Sequence, residues 1–157
     1  MRIAERTLPA RAFAVIPAGL LAGAFGYGAV NVLYAFRKVP LDVRFTFHTA
    51  LMSVNGVVMQ SLMGLTILSA LVLAIRSTGR ARLLAGTASA LAVAAFLITR
   101  LGNVPINQKI KVWAVTGPPA DYAEILGRWE TFHIARTTCA LVAFTLLVTT
   151  TLRPTNP

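Results

Sequence analysis

The chain has 157 residues, of which 56 % are apolar and only 13 % charged, and its formal net charge is +10. That length is one domain on ordinary grounds. The positive charge does not describe a nucleic-acid binder, because Lys and Arg gather at the ends of apolar stretches and no basic run is interleaved with aromatics for stacking on bases. The single cysteine, Cys139, excludes an internal disulfide and any paired-cysteine metal motif, and reads as packing in an apolar helix.

Arg2, Arg6 and Arg11 precede the first stretch without Asp, Glu, Lys or Arg, residues 12–36. It is longer than the roughly 7–15 residues of a signal-peptide core, so it is read as a retained span. Gly19, Gly23, Gly26 and Gly28 offer it a small-residue seam for close helix approach. Arg37, Lys38, Pro40 and Arg44 mark a loop, and a second charge-free stretch follows at 45–75. The Ser77-Thr-Gly-Arg80 turn leads into a third stretch at 83–99, and a fourth occupies 137–152. A spanning helix needs roughly 17–25 mostly apolar residues. The first two stretches qualify outright. The third extends past Arg82 or Arg100, whose side chains can snorkel to headgroups, and the fourth extends backwards through Arg136 and His133.

The expectation is therefore an all-α integral membrane protein. It is a single four-helix bundle with spans at about 12–36, 46–75, 82–100 and 131–152, and a partly helical loop between helices three and four. That loop, 101–130, contains Asn103-Val-Pro-Ile-Asn107, Trp113, a Gly117-Pro-Pro turn and an Asp121-Tyr-Ala-Glu124 helix start. A connection so long in so small a chain reads as a lid or part of a site. Basic borders suit anionic headgroups, and the basic N-terminus and 76–82 turn put both termini on the cytoplasmic side. The lipid bilayer is the expected partner, with room for a homo-oligomer.

Topology places the chemistry. With four spans, the one–two and three–four connections share a membrane face. Asn31 and Tyr34 near the end of helix one, His48 near the start of helix two, Asn103 and Asn107, and Trp129, His133 and Arg136 all belong to that face. His48 and Asn55 are seven residues apart, within about 20° on one helical stripe, with Met52 between them. His133 and Arg136 are three apart, and Trp129 lies one turn before His133. Polar groups at membrane depth are costly and face inward toward partners, so a polar pocket under the three–four loop is predicted. For Asn31 and Asn55 the plain alternative is interhelical hydrogen bonding, for Arg136 a snorkelling anchor, and for Met52, Met59 and Met63 core packing.

The segment Gly102-Asn-Val-Pro-Ile-Asn-Gln-Lys-Ile-Lys-Val-Trp113, followed by Arg128-Trp-Glu-Thr-Phe-His-Ile-Ala-Arg136, resembles the signature of the anthrone oxygenase-like family of small four-helix membrane proteins. The resemblance places the family's motif positions on Asn103, Pro105, Asn107, Trp129, His133 and Arg136. Fungal members tied to anthrone oxidation tend to carry Asn where this chain has His133, whereas many bacterial relatives carry His. The resemblance thus implies an oxygenase or oxidase of a small aromatic or polyketide-like molecule, with O2 as co-substrate, in a bacterial cytoplasmic membrane.

Two mechanisms are open to these residues. Without a cofactor, His133 or His48 acts as base and Arg136, with Asn103 or Asn107, stabilises the oxyanion, while Asn31, Tyr34, Asn55 and Trp129 bind substrate. With a metal, His48 and His133 hold one ion, copper being favoured over iron because no carboxylate shares the stripe, and Glu130 orients His133 from behind. No dinucleotide fingerprint is present, so neither flavin nor nicotinamide is expected. The competing classes are a non-catalytic subunit of a membrane complex and a small multidrug-type transporter. The transporter would want an intramembrane carboxylate, which the four charge-free stretches lack.

Overall fold

A computed structural model describes residues 2–152, with side chains described from Pro9 onward. The side chains of Arg2 and Arg6 lie outside the described residues. The chain forms α1 (Arg2–Tyr27), a π-helical turn (Gly28–Val32), α2 (Leu33–Phe36), α3 (Leu41–Arg76), α4 (Gly79–Ile98), a second π-helical turn (Thr99–Asn103), α5 (Val104–Thr116) and α6 (Tyr122–Thr151). Helix runs through both π-turns, so these elements join into four helices long and apolar enough to cross a membrane: Pro9–Phe36, Leu41–Arg76, Gly79–Thr116 and Tyr122–Thr151. The protein is an all-α, integral membrane four-helix bundle.

Helix continues well beyond the charge-free windows. The third span covers 38 residues, the fourth begins at Tyr122, and only 117–121 separate them. Lys109, Lys111, Arg128 and Glu130 thus mark polar surroundings rather than helix ends. Pro105 does not break the third span. Proline cannot donate to the carbonyl four residues back. The strain is absorbed just upstream, where the turn widens and the Val104 N–H reaches the Thr99 carbonyl. The span ends at Gly117, whose φ of 82° suits a residue without Cβ and whose N–H bonds the Trp113 carbonyl at 3.0 Å. Two prolines then stop the helix. Asp121 and Glu124 start the last one, as the sequence suggested.

Packing differs between the two ends of the bundle. At one end, Ala14, Ala18, Ala70, Ala74, Ala85, Ala88 and Ala143 are buried with Leu73 and Leu147. Small side chains let membrane helices approach closely. At the other end, Leu33, Phe45, Ile106, Ile110, Trp113, Leu126 and Trp129 form a cluster of bulky groups that holds the helices apart. The glycine seam of helix one is used only in part. A Cβ on Gly19 would meet the Phe144 ring at 3.0 Å, while Gly23 and Gly26 face open space. Loops 37–40 and 117–121 lie at the same end, where Arg37 and Arg44 both pair with Glu130, Arg44 at 3.3 Å.

Candidate functional site

The polar residues of the wide end converge on one side chain, Asn107, on α5. Its Oδ1 accepts a hydrogen bond from Trp129 Nε1 at 2.7 Å and lies 3.1 Å from His48 Nε2, while its Nδ2 donates to Met52 Sδ at 3.3 Å. An indole nitrogen can only donate, which identifies the amide atom as oxygen. His48 Nε2 must therefore carry its proton toward Asn107, which leaves the His48 lone pair on Nδ1. That atom is buried without a partner. Asn103 Nδ2, also buried, donates to the Trp129 carbonyl at 3.0 Å and ties α6 to the second π-turn.

His133 has the opposite arrangement. Arg136 Nη2 and Nε approach its Nδ1 at 2.8 and 3.3 Å. A guanidinium has no lone pair to offer, so Nδ1 accepts, and neutral His133 carries its proton on Nε2. Nε2 is buried beside the Phe25 backbone and makes no hydrogen bond of ordinary geometry. The ring is clamped between the Trp129 indole, stacked at 5.3 Å and 3°, and the Phe25 ring, edge-on at 6.4 Å. Its Nε2 edge abuts Gly28 in the first π-turn, where a Cβ would come within 3.0 Å. Arg136 is 9 % exposed. Its Nη1 donates to Thr99 Oγ1 at 3.2 Å, and its guanidinium lies 4.5 Å from the Phe25 ring centroid. The Thr99 hydroxyl proton is engaged with the Ala95 carbonyl at 2.8 Å, so its lone pairs are free for Arg136. Among the described residues the ion pairs are those of Glu130 with Arg37 and Arg44, so Arg136 is buried without a counter-ion.

These groups border a cavity of about 310 Å³. Its polar wall is Asn107, Thr99, His133 and Arg136, its flat wall is Trp129 with Phe25 and Phe36, and Asn55, Met52, Met59 and Met63 line it from α3. Both π-turns contribute, through Gly28 and Val32 on one side and Thr99 on the other. Such turns recur at functional sites because they offset the side-chain register locally.

Several expectations change with this geometry. Asn31 and Tyr34 do not belong to the site: both are exposed, and the face of helix one turned to the cavity carries Phe25, Gly28, Val32 and Phe36. The first π-turn shifts the register between Gly28 and Leu33, which straight-helix spacing does not anticipate. His48 is 1 % exposed and sits behind Asn107 and Trp129, stacked on Phe36 at 5.2 Å, without reaching the cavity wall. Asn103 likewise positions Trp129 and does not line the cavity. Glu130 pairs with Arg37 and Arg44 and does not orient His133. Arg136 points inward, so it is no snorkelling anchor. Phe25 and Thr99 were missed. Thr99 carried a faint signal as a hydroxyl one turn before Asn103, whereas nothing in the sequence singles out Phe25.

The two histidines do not fit a shared copper or iron ion. Metal binding needs a bare imidazole nitrogen. The His133 nitrogen not taken by Arg136 carries the proton and is itself buried against Gly28, and the bare nitrogen of His48 is buried on a residue that does not line the cavity. Among the described residues no group of three or more His, Cys, Asp or Glu is placed to hold an ion. What the cavity offers instead is a positive, donor-lined wall beside an aromatic floor.

No curated protein and no solved structure matches the chain. The family model for anthrone oxygenase does match, over residues 6–146, which include every group that lines the cavity. The chain therefore belongs to the anthrone oxygenase family.

Proposed function

We propose that the protein is a membrane-embedded, cofactor-independent oxygenase that holds a small aromatic ketone or phenol as its anion against Arg136 and His133 while O2 reacts with it. One observation carries the reading: Arg136 is buried at the cavity wall with no counter-ion among the described residues. An uncompensated charge in a low-dielectric interior is costly. An anionic ligand would relieve that cost. Family membership supports an oxygenase, and the Trp129, Phe25 and Phe36 rings around the cavity support a flat aromatic substrate.

An anthrone-like molecule has a methylene between two aryl rings, conjugated through them to a carbonyl. Loss of a methylene proton to a water molecule in the cavity gives a delocalised anion whose charge rests largely on the oxygen, and the same proton is returned when the peroxide forms. Arg136 stabilises that oxygen, and because it is fixed beforehand it needs no reorganisation as charge develops. The carbon then bonds to one oxygen atom of O2, and protonation of the distal oxygen gives a hydroperoxide. Loss of water leaves a second carbonyl. In balance, CH2 and O2 become C=O and H2O: the carbon is oxidised, one oxygen atom stays in the product and the other leaves in water. The site acts on the anion rather than as a base, since the His133 lone pair is taken by Arg136 and that of His48 lies outside the cavity lining.

The test is oxygen uptake with anthrone by the protein in lipid nanodiscs, compared with uncatalysed autoxidation and with Arg136→Met. Catalysed uptake that falls on the order of 10²–10³-fold in the variant and survives chelators supports the reading. Uptake no faster than autoxidation, or unchanged by Arg136→Met, refutes it.

A further inference from the structure

Three of the residues that border the cavity are exposed on the outside of the bundle: Ala24 and Tyr27 on α1 and Gln60 on α3. All three lie on the seam between the first and second spans. Tyr27 is nine residues before the end of its span at Phe36, about 14 Å along the axis, and Gln60 is near the middle of its 36-residue span. The opening therefore faces hydrocarbon rather than water.

Both ends of the bundle are closed. Toward the loops, Leu33, Ile110, Trp113 and Leu126 pack together, each at most 8 % exposed, beneath the Arg37–Glu130–Arg44 pairs. Toward the opposite end, Leu21, Phe25, Met63 and Ala140 fill the interior, and the alanine-rich cluster lies beyond them. Gln60 supplies an independent sign. A primary amide on the lipid-facing side of a helix, deep in a span, is costly without a partner. At the rim of the opening it can hydrogen-bond a passing ketone. Gly56, also on the rim, leaves open space where a side chain would stand.

We infer that the substrate enters sideways from the bilayer, through a portal between the first and second spans rimmed by Ala24, Tyr27, Gly56 and Gln60, and is therefore a neutral aromatic ketone dissolved in lipid that ionises only after reaching Arg136. The inference rests on the cavity being the substrate site. It adds that the protein draws on a membrane-dissolved pool and not on the aqueous phase. A neutral tricyclic ketone partitions into hydrocarbon, whereas its anion does not cross it readily. A lipid portal and a buried cation thus divide the work between admission and ionisation.

The probe is benzophenone, a neutral diaryl ketone that photolabels methionine. Met52 and Met63 line the cavity, and Met63 is 1 % exposed, while Met59 lies nearer the seam. The protein in lipid nanodiscs is irradiated with the probe, and the label is located by mass spectrometry. Gly56→Leu and Ala24→Leu narrow the mouth, at positions where a larger side chain has room and favours helix. Leu126→Ala loosens the loop-side seal. Labelling of Met52 and Met63 is expected in the wild type, to fall at least tenfold in both narrowed variants, and to be unchanged by Leu126→Ala. Label on Met59 alone would overturn the inference, since the seam would then hold only what the bilayer leaves there. Equal labelling in both narrowed variants, or a large rise in Leu126→Ala, would overturn it too. Oxygen uptake with anthrone is read on the same samples. If the labelling pattern holds without uptake, the portal stands and the oxygenase reading falls; if uptake holds while the mouth variants label normally, the reverse is true.

Discussion

Asn107→Leu tests the idea that one amide oxygen organises the site. Leucine has the branched skeleton of asparagine with bulkier ends, so the change removes hydrogen bonds without opening a cavity. It strands two donors, Trp129 Nε1–H and His48 Nε2–H, whose residues are 4 % and 1 % exposed. Each buried orphan donor costs about 1–3 kcal/mol. Hydrogen bonds between membrane helices average nearer 0.6 kcal/mol, because the dissociated helices find other partners. Here the donors have little access to water, and we expect a loss of about 2–3 kcal/mol. His48→Phe should cost less, under about 1 kcal/mol, because Asn107 keeps the Trp129 donor and phenylalanine can stack on Phe36 as the imidazole does. The double variant His48→Phe/Asn107→Leu strands one donor instead of two, so the cycle should show a coupling of about 1 kcal/mol. Reversible unfolding in mixed micelles, followed by Trp129 fluorescence in a Trp113→Phe background, measures all three. A loss below about 0.5 kcal/mol for Asn107→Leu, or strict additivity, would refute the hub.

Arg136→Met should raise stability by about 1–4 kcal/mol while lowering catalysed oxygen uptake on the order of 10²–10³-fold, since it replaces a buried charge without a counter-ion among the described residues by an apolar side chain; the same unfolding assay reads the first effect. Gly102→Ala would place a Cβ 2.7–2.9 Å from three atoms of the Phe132 ring, so it should cost about 1–3 kcal/mol, and Phe132→Leu in the same chain should recover most of that. Glu130→Gln removes the partner of Arg44, whose side chain is only 8 % exposed, and should destabilise by about 1–3 kcal/mol. In that variant Arg37, half exposed, should contribute little to the loss, so adding Arg37→Gln should change it by less than about 0.5 kcal/mol.

The fold was legible because hydrocarbon leaves few options: a charge-free run of sufficient length must be a helix, and four of them must pack. Topology carried that to the site, since it put both histidines at one end whatever the orientation. Straight-helix spacing on a single element also held, and His133 and Arg136, three residues apart, do interact. What failed was rotation. Whether Asn31 or Gly28 faces inward depends on a π-turn, and neither π-turn has a marker in composition. Proline ordinarily breaks or kinks a helix, yet at Pro105 the chain resolved the missing N–H by widening the preceding turn.

Chemical role was the least legible feature, for a reason that reaches beyond this chain. A histidine's residue type says that it can act as base, ligand or donor, and the choice is made by what touches its other nitrogen. His133 and His48 have the same side chain at the same end of the same bundle. One accepts from a guanidinium that can only donate, so its proton sits on the opposite nitrogen, Nε2. The other donates to an amide oxygen whose identity is fixed by an indole, so its lone pair is left on Nδ1, buried outside the cavity lining. The Arg136 partner follows from spacing along one helix, but the Asn107 partner does not, because His48, Asn107 and Trp129 come from three different spans. Once Arg136 and Asn107 are in place, the expected base at His133 becomes a hydrogen-bond donor, and the site's chemistry moves from removing a proton to holding the charge that remains.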